Sequence, residues 1–309
     1  MKPFYISLKP FLNHGELPRP ALWPVLFGNN NPIEVEIGFG NGEYLARLSQ
    51  GMPQVNFIGF EEYCERIVRT LRKLSRNTVN NARVMRLDAR AGFERYIKPN
   101  TIQKIHCLYP PPWPKKSDIK HRLFTPAFLK LLNSRLVMGG HVHIVTDHYP
   151  YMLWLMEQLP GTGFQDTFNK IPASFGTKFE NKWVGEGQQE FYELILTKEQ
   201  HHDIPLTEDT PMQMYTINDF DPDRFVFNEY SKDGIAVAFR DMLYDAKKKM
   251  ALVHVIACDG PITQNVRVMI VHTPKGWRVH LAEGSLLMPT VAVSQAVACV
   301  HEAAVQTTA

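Results

Sequence analysis

From about Pro32 the chain alternates between short apolar runs and longer stretches in which apolar residues recur at helical spacing. Ile33 to Ile37, Val55 to Phe60, Ala82 to Leu87, Ile105 to Tyr109 and His141 to Thr146 each read as a buried strand. After the second run, Ile67, Val68, Leu71 and Leu74 recur every three or four residues, with Arg66, Arg69, Arg72 and Lys73 between them. Thr125-Pro126 is a helix start, the threonine as cap and the proline in the first turn. The helix that follows carries Phe128, Leu131, Leu132 and Leu136 on one face, and Gly139-Gly140 is expected to stop it. Tyr151 to Leu159 predicts another helix, ended by Pro160-Gly161, and Phe191 to Thr197 a closing antiparallel strand. This alternation predicts an α/β fold, a parallel sheet with helices on both faces. Ligands of such sheets bind beyond the carboxyl ends of the strands, so the loops there are where chemistry is expected.

Near Gln200 to Pro205 the pattern changes. Arg224 to Phe227, Ala251 to Cys258, Val266 to His272 and Trp277 to Leu281 read as strands, with turns at Asp259-Gly260-Pro261 and Thr273 to Gly276. Val291 to Ala304 reads as a terminal helix. The expected division is residues 1–204 as one domain and 205–309 as a smaller antiparallel α+β domain of unassigned role.

Composition changes this picture little. With 44% hydrophobic and 21% charged residues the chain is ordinary globular material, and its formal charge of +3 does not by itself demand a polyanionic partner. Clustering says more: residues 104–135 hold seven Lys or Arg against one acid, Asp118. Cys64, Cys107, Cys258 and Cys299 stand far apart with no CxxC pair, a spacing that suits neither a zinc site nor a disulfide framework. No apolar run reaches membrane-spanning length, and the first residues lack a signal-peptide core. A cytoplasmic protein with reduced thiols, no metal and no membrane association is expected.

The densest chemical signal is Glu36-Ile37-Gly38-Phe39-Gly40-Asn41-Gly42, an acid and three alternate glycines directly after the first strand of the series. Glycines let the backbone turn sharply and approach a ligand. A dinucleotide fingerprint has its third glycine at position 43, where Glu43 stands, so the spacing disfavours NAD. An acid ahead of the glycines suits the ammonium group of an amino-acid-bearing ligand. Glu61 ends the second strand and could accept from ribose hydroxyls. Asp88 ends the third, either accepting from an adenine amino group or capping a helix. Together these features point to S-adenosylmethionine, with Glu36, Gly38, Gly40, Gly42, Glu61 and Asp88 as its contacts.

Tyr109-Pro110-Pro111-Pro112-Trp113-Pro114-Lys115-Lys116, with Thr146-Asp147 and Thr177-Lys178-Phe179-Glu180, resembles the bacterial tRNA (guanine-N7)-methyltransferases. Ile58-Gly59-Phe60-Glu61 and Arg83 to Ala89 share the likeness, which runs from about Pro32 to Lys198. The resemblance implies a Rossmann-like S-adenosylmethionine domain and transfer of a methyl group to guanine 46 in the variable loop of tRNA. It implies that Asp147, Thr177 and Glu180 surround the guanine. Lys115, Lys116, Lys120, Arg122 and Lys178 would meet RNA phosphates, and Trp113 either stacks on a base or anchors in the core.

The chain departs from the family pattern at several positions. Pro111 occupies the place of an acid, Ser117 and Asp118 replace basic residues, and His121 replaces an arginine. Phe175-Gly176 stands where the family has Arg-Pro, and Gly185 to Gln189 lacks the family's histidine. Guanine N7 has a free lone pair and needs no general base, so the missing acid bears on positioning of the base and stabilisation of charge rather than on proton removal. Two alternatives remain at this level: the same cofactor with another acceptor, and a relative that binds S-adenosylmethionine or tRNA without turnover.

Overall fold

In the computed structural model, which describes residues 5–308, the chain forms two compact units. Leu17–Thr207, with the residues up to Asn13, makes the first; Glu208 onward, with His14–Glu16, makes the second.

The first unit runs β1 (Phe11–Leu12), α1 (Trp23–Phe27), β2 (Ile33–Ile37), α2 (Glu43–Gly51), β3 (Asn56–Glu61), α3 (Cys64–Arg76), β4 (Ala82–Arg86), α4 (Ala89–Arg95) and β5 (Ile102–Leu108). It continues through α5 (Pro126–Arg135), β6 (Leu136–Thr146), α6 (Tyr149–Glu157), β7 (Phe164–Ile171), α7 (Lys178–Gly185) and β8 (Phe191–Lys198). The strands form one sheet in the order β1-β4-β3-β2-β5-β6-β8-β7, all running in one direction except β8, which pairs antiparallel with both β6 and β7. Its β2, β3 and β4 have all or most of their residues buried, as expected for strands covered on both faces. On one face Phe57 and Val84 pack with Leu45 of α2 and Ile67, Leu71 and Leu74 of α3. On the other, the Phe60 ring lies 5.7 Å from Phe93 of α4, which lies 6.1 Å from Phe128 of α5.

Gly139-Gly140 does not end a helix. Helix α5 stops at Arg135, Leu136 is already extended (ψ 147°), and the glycines lie inside β6 where its register against β5 shifts. Gly139 has φ +72°, and a Cβ on Gly140 would stand 2.9 Å from the Gln103 carbonyl oxygen. The same freedom that ends helices also makes bulges, so the glycine pair alone left the two indistinguishable. Arg135, counted above with the basic cluster, is fully buried. Its guanidinium donates to the carbonyls of Phe93, Ile204 and Pro205.

The second unit is a six-stranded antiparallel sheet in the order β10-β11-β12-β13-β14-β9. Its members are β9 (Tyr215–Ile217), β10 (Tyr230–Lys232), β11 (Ile235–Asp245), β12 (Met250–Asp259), β13 (Ile262–Thr273) and β14 (Gly276–Leu281). Helix α8 (Val291–Gln306) covers one face, packing Val293, Val297 and Val300 on Val253, Val255, Val268 and Val279. Arg224 to Phe227 is not a strand; Pro222–Arg224 is a 3-10 turn capped by Asp221, whose carboxylate accepts the Asp223 amide.

Candidate active site

A cleft of about 440 Å³ opens at the carboxyl ends of β2 to β5, within the roughly 300–1,000 Å³ usual for small-molecule sites. Its inner end is built by the turn from β2 into α2. Gly38, Gly40 and Gly42 have φ of +67°, +55° and +72°, and a Cβ at Gly42 would stand 2.4 Å from the Thr70 hydroxyl. The glycines are therefore a requirement of the backbone path, most strictly at Gly42, which begins α2 without lining the cleft.

Helix α3 holds this turn. Arg66, Arg69, Thr70 and Lys73 are spaced to share a helical face. Lys73 Nζ reaches the Asn41 carbonyl and the Glu43 carboxylate, both at 2.8 Å; Arg69 donates to Asn41 Oδ1 at 3.1 Å and the Thr70 hydroxyl to the Gly40 carbonyl at 3.4 Å. Arg66 pairs with Glu61 at 3.3 Å. The basic spacing was visible in sequence; its partner was not, because the glycine turn lies about 30 residues earlier.

Glu36 lines the cleft yet is only 4% exposed, and its Oε2 has no hydrogen-bond partner among the described residues. Burial, reinforced by Glu43, pushes its carboxyl up to about 8, with Arg47 opposing. Such a group fits a cation brought by a ligand. Glu61 is equally buried, but its carboxylate already accepts from the Gly40, Glu62 and Tyr63 amides at 3.0, 3.0 and 3.2 Å. It presents a fixed carboxylate to the cleft while holding the glycine turn. Asp88 caps α4 through the Arg90 amide at 2.7 Å and pairs with the Arg90 guanidinium at 2.8 Å; it too lines the cleft.

The outer end is lined by Tyr109, Pro110, Pro111, Trp113, Lys120, His121, Thr177, Lys178 and Phe179. Trp113 has φ +43°, is 39% exposed and lies 5.4 Å from the His121 ring. Of the two readings of Trp113, the structure gives the exposed one. Lys115 and Lys116 are exposed on the same loop without lining the cleft.

Three expected site residues sit differently. Arg122 is buried and faces no solvent for a phosphate: it donates to the Pro112 and Trp113 carbonyls at 2.8 and 3.3 Å and lies over the Tyr151 and Trp154 rings. It shapes the Pro-Pro-Trp loop instead. Glu180 is 1% exposed and points under the loop ahead of α7, accepting from the Ser174, Phe175 and Gly176 amides and from the Tyr109 hydroxyl at 2.9 Å. Burial pushes its carboxyl up, but these donors outweigh that and hold it below the usual carboxylate range. Glu180 thereby fixes Thr177, the α7 cap, at the cleft wall. Asp147, just past the end of β6, is half-buried and outside the cleft lining, its carboxyl raised by burial.

Comparison with known proteins adds to this geometry. The family described as putative methyltransferase matches residues 30–193, which hold the glycine turn, the cleft and α7. A tRNA (guanine-N(7)-)-methyltransferase of Chlorobium phaeobacteroides is 39% identical over 169 residues, 55% of this chain and 83% of that protein. The chain belongs to this family. It is a methyltransferase, of the S-adenosylmethionine-dependent class. A tRNA (guanine-N(7)-)-methyltransferase of Chlamydia caviae is 32% identical over 61% of this chain and 86% of its own length. One of Thermotoga maritima is 33% identical over 58% of each. The family match ends before the second unit begins. No helix among the described residues is long and apolar enough to cross a membrane.

Four further residues of the cleft belong to no sequence motif. Tyr44, Tyr63, Glu62 and Arg90 all line the cleft. Tyr44 is the first apolar residue inside α2 and so reads as core; only its neighbours show that its hydroxyl meets His106 Nδ1 at 3.2 Å.

Proposed function

We propose that the chain methylates N7 of a guanine in tRNA, guanine 46 of the variable loop, with S-adenosylmethionine as donor. The observation that carries the reading is the cleft itself. At its inner end stands an unpartnered, buried carboxylate beside a glycine turn; at its outer end stand an exposed tryptophan, an exposed phenylalanine and lysines.

When bound, the cofactor supplies an electrophilic methyl group on a sulfonium. Glu36 would accept from its ammonium, Glu61 from its ribose and Asp88 from its adenine, with the glycine turn leaving room for the backbone to approach. Trp113 and Phe179, 39% and 47% exposed, offer faces on which an unstacked guanine would lie. Lys115, Lys116, Lys120 and Lys178 are exposed around that mouth and would bind phosphates. Because N7 carries its own lone pair, alignment of the base is the main demand on the protein, and holding reactants in line is a sufficient source of rate. Thr177, fixed by Glu180, and Asp147 beyond it would orient the base edge. Residue 111 contributes no charge here, so any electrostatic help comes from elsewhere in the outer cleft.

The deciding experiment is incubation of the purified protein with methyl-labelled S-adenosylmethionine and unmodified bulk tRNA, followed by digestion to nucleosides. Labelled 7-methylguanosine is expected. A different labelled nucleoside would replace the acceptor. Cofactor binding with no label in RNA would sink the tRNA reading.

A further inference from the structure

At one end of the second unit's sheet, two turns from different hairpins lie together. The register runs Asp245↔Met250↔Val271↔Arg278 across four strands, and the His272 amide donates to the Lys249 carbonyl at 3.0 Å. Lys247, Lys248 and Lys249 stand at the β11–β12 turn, Lys275 at the β13–β14 turn and Arg278 on the adjoining strand. The four lysines are exposed, and none of the five forms an ion pair among the described residues. Asp245, the acid in this turn, has its Oδ1 held by the Lys247 and Lys248 amides at 3.0 and 3.1 Å. Asp219 and Asp221 flank Phe220, whose ring packs on Trp277 at 5.4 Å on the α8 side of the sheet; Arg278, next along β14, takes the opposite face.

This segregation runs against the unit's composition. From residue 208 onward the chain has twelve Asp or Glu and nine Lys or Arg, and five of those nine gather at this one end. Unpaired cations concentrated on an otherwise acidic unit make a focused positive patch, complementary to a polyanion. The open face beside it adds Arg267, exposed and opposite His254 in the register.

We propose that this basic end is a second RNA-binding surface, contacting the phosphate backbone of the tRNA substrate. The choice of polyanion rests on the RNA-methylating reading above; the patch does not. The test uses the full chain with K247Q, K248Q, K249Q and K275Q combined. Binding of fluorescent bulk tRNA is measured across a salt series, with cofactor affinity and thermal midpoint alongside. Affinity is expected to fall about tenfold or more and the log–log salt slope to become shallower by about three, while cofactor affinity and midpoint hold. R278Q alone, as a second variant, is expected to lose a few-fold. Unchanged tRNA affinity and slope would overturn the inference, whether or not methyl transfer occurs. So would loss of binding to polyglutamate with tRNA binding intact, which would assign the patch to an acidic protein. If wild type makes no 7-methylguanosine while the four-lysine variant still loses tRNA affinity, the patch stands and the proposed reaction falls.

Discussion

Glu36 concentrates the chemistry of the cleft in one side chain. With its carboxyl at about 8 it is mostly protonated at pH 7, and a bound cation would favour the ionised form. Binding of S-adenosylmethionine at pH 7 should therefore release close to one proton, read by calorimetry in buffers of different ionisation enthalpy. Glu36→Gln should release none and bind roughly 10- to 100-fold more weakly, the worth of one charge-assisted hydrogen bond. Arg122 carries a different prediction, because its two carbonyl bonds and its stacking demand a planar fork. Arg122→Lys should cost about 1–3 kcal/mol of stability in denaturant unfolding and slow methyl transfer, leaving cofactor affinity unchanged. Had Arg122 served phosphates, lysine would keep the charge, and both stability and the salt slope of tRNA binding would hold. At residue 111, Pro111→Asp restores the acid of the resembling proteins. It should raise kcat roughly tenfold or more if the outer cleft works as theirs does, and no gain would mark an acceptor site built differently.

At the scale of elements, α3 is as much a brace as a core helix. Lys73, two turns along from Arg66, grips both the Asn41 carbonyl and Glu43, so Lys73→Ala should loosen the glycine turn and weaken cofactor binding several-fold. An intact far-UV spectrum would show that the fold survives, and unchanged affinity would deny the helix this role. Strand β5 carries a second element-level consequence. His106 is 1% exposed, with Nε2 2.7 Å from Glu34 and Nδ1 facing the Tyr44 hydroxyl. Burial outweighs the Glu34 contact and lowers it to about 4. Below pH 6.5 the unfolded chain takes up this proton before the folded one does, so stability falls as pH drops from 6.5 towards 4. The loss from this one group should approach about 3 kcal/mol, and His106→Asn should flatten that part of the profile from a lower starting stability.

Across the whole molecule, charge is divided unevenly. The acid surplus after residue 207 leaves residues 1–207 with six more positive than negative charges, within a chain total of +3. Two of the basic residues in the 104–135 cluster, Arg122 and Arg135, are buried structural groups, so under the proposed function only the exposed lysines are left to meet RNA. Replacing Lys115, Lys116, Lys120 and Lys178 by glutamine should flatten the salt dependence of tRNA binding by about three to four log units per log unit of salt. The same change should raise KM for tRNA far more than that for the cofactor.

Much of this was written into the chain as a line of residues. The alternation of apolar runs with helical spacing gave the parallel sheet, and the position of the acid and glycines after β2 located the inner cleft, because strand ends are where such sheets bind ligands. Both are local patterns, set by the strand period, the helix period and the glycine φ. What only the tertiary structure decided are the partners. Whether Gly139-Gly140 ended a helix or bulged a strand depended on the register of β5. Whether Arg122 and Glu180 faced substrate or protein depended on carbonyls and amides that the folded loops bring to them. That Lys275 and Arg278 join the lysine run depended on two hairpins lying edge to edge. A charged side chain reads the same in sequence whether it is solvated or enclosed; only the atoms packed around it distinguish the two, and those come from distant parts of the chain.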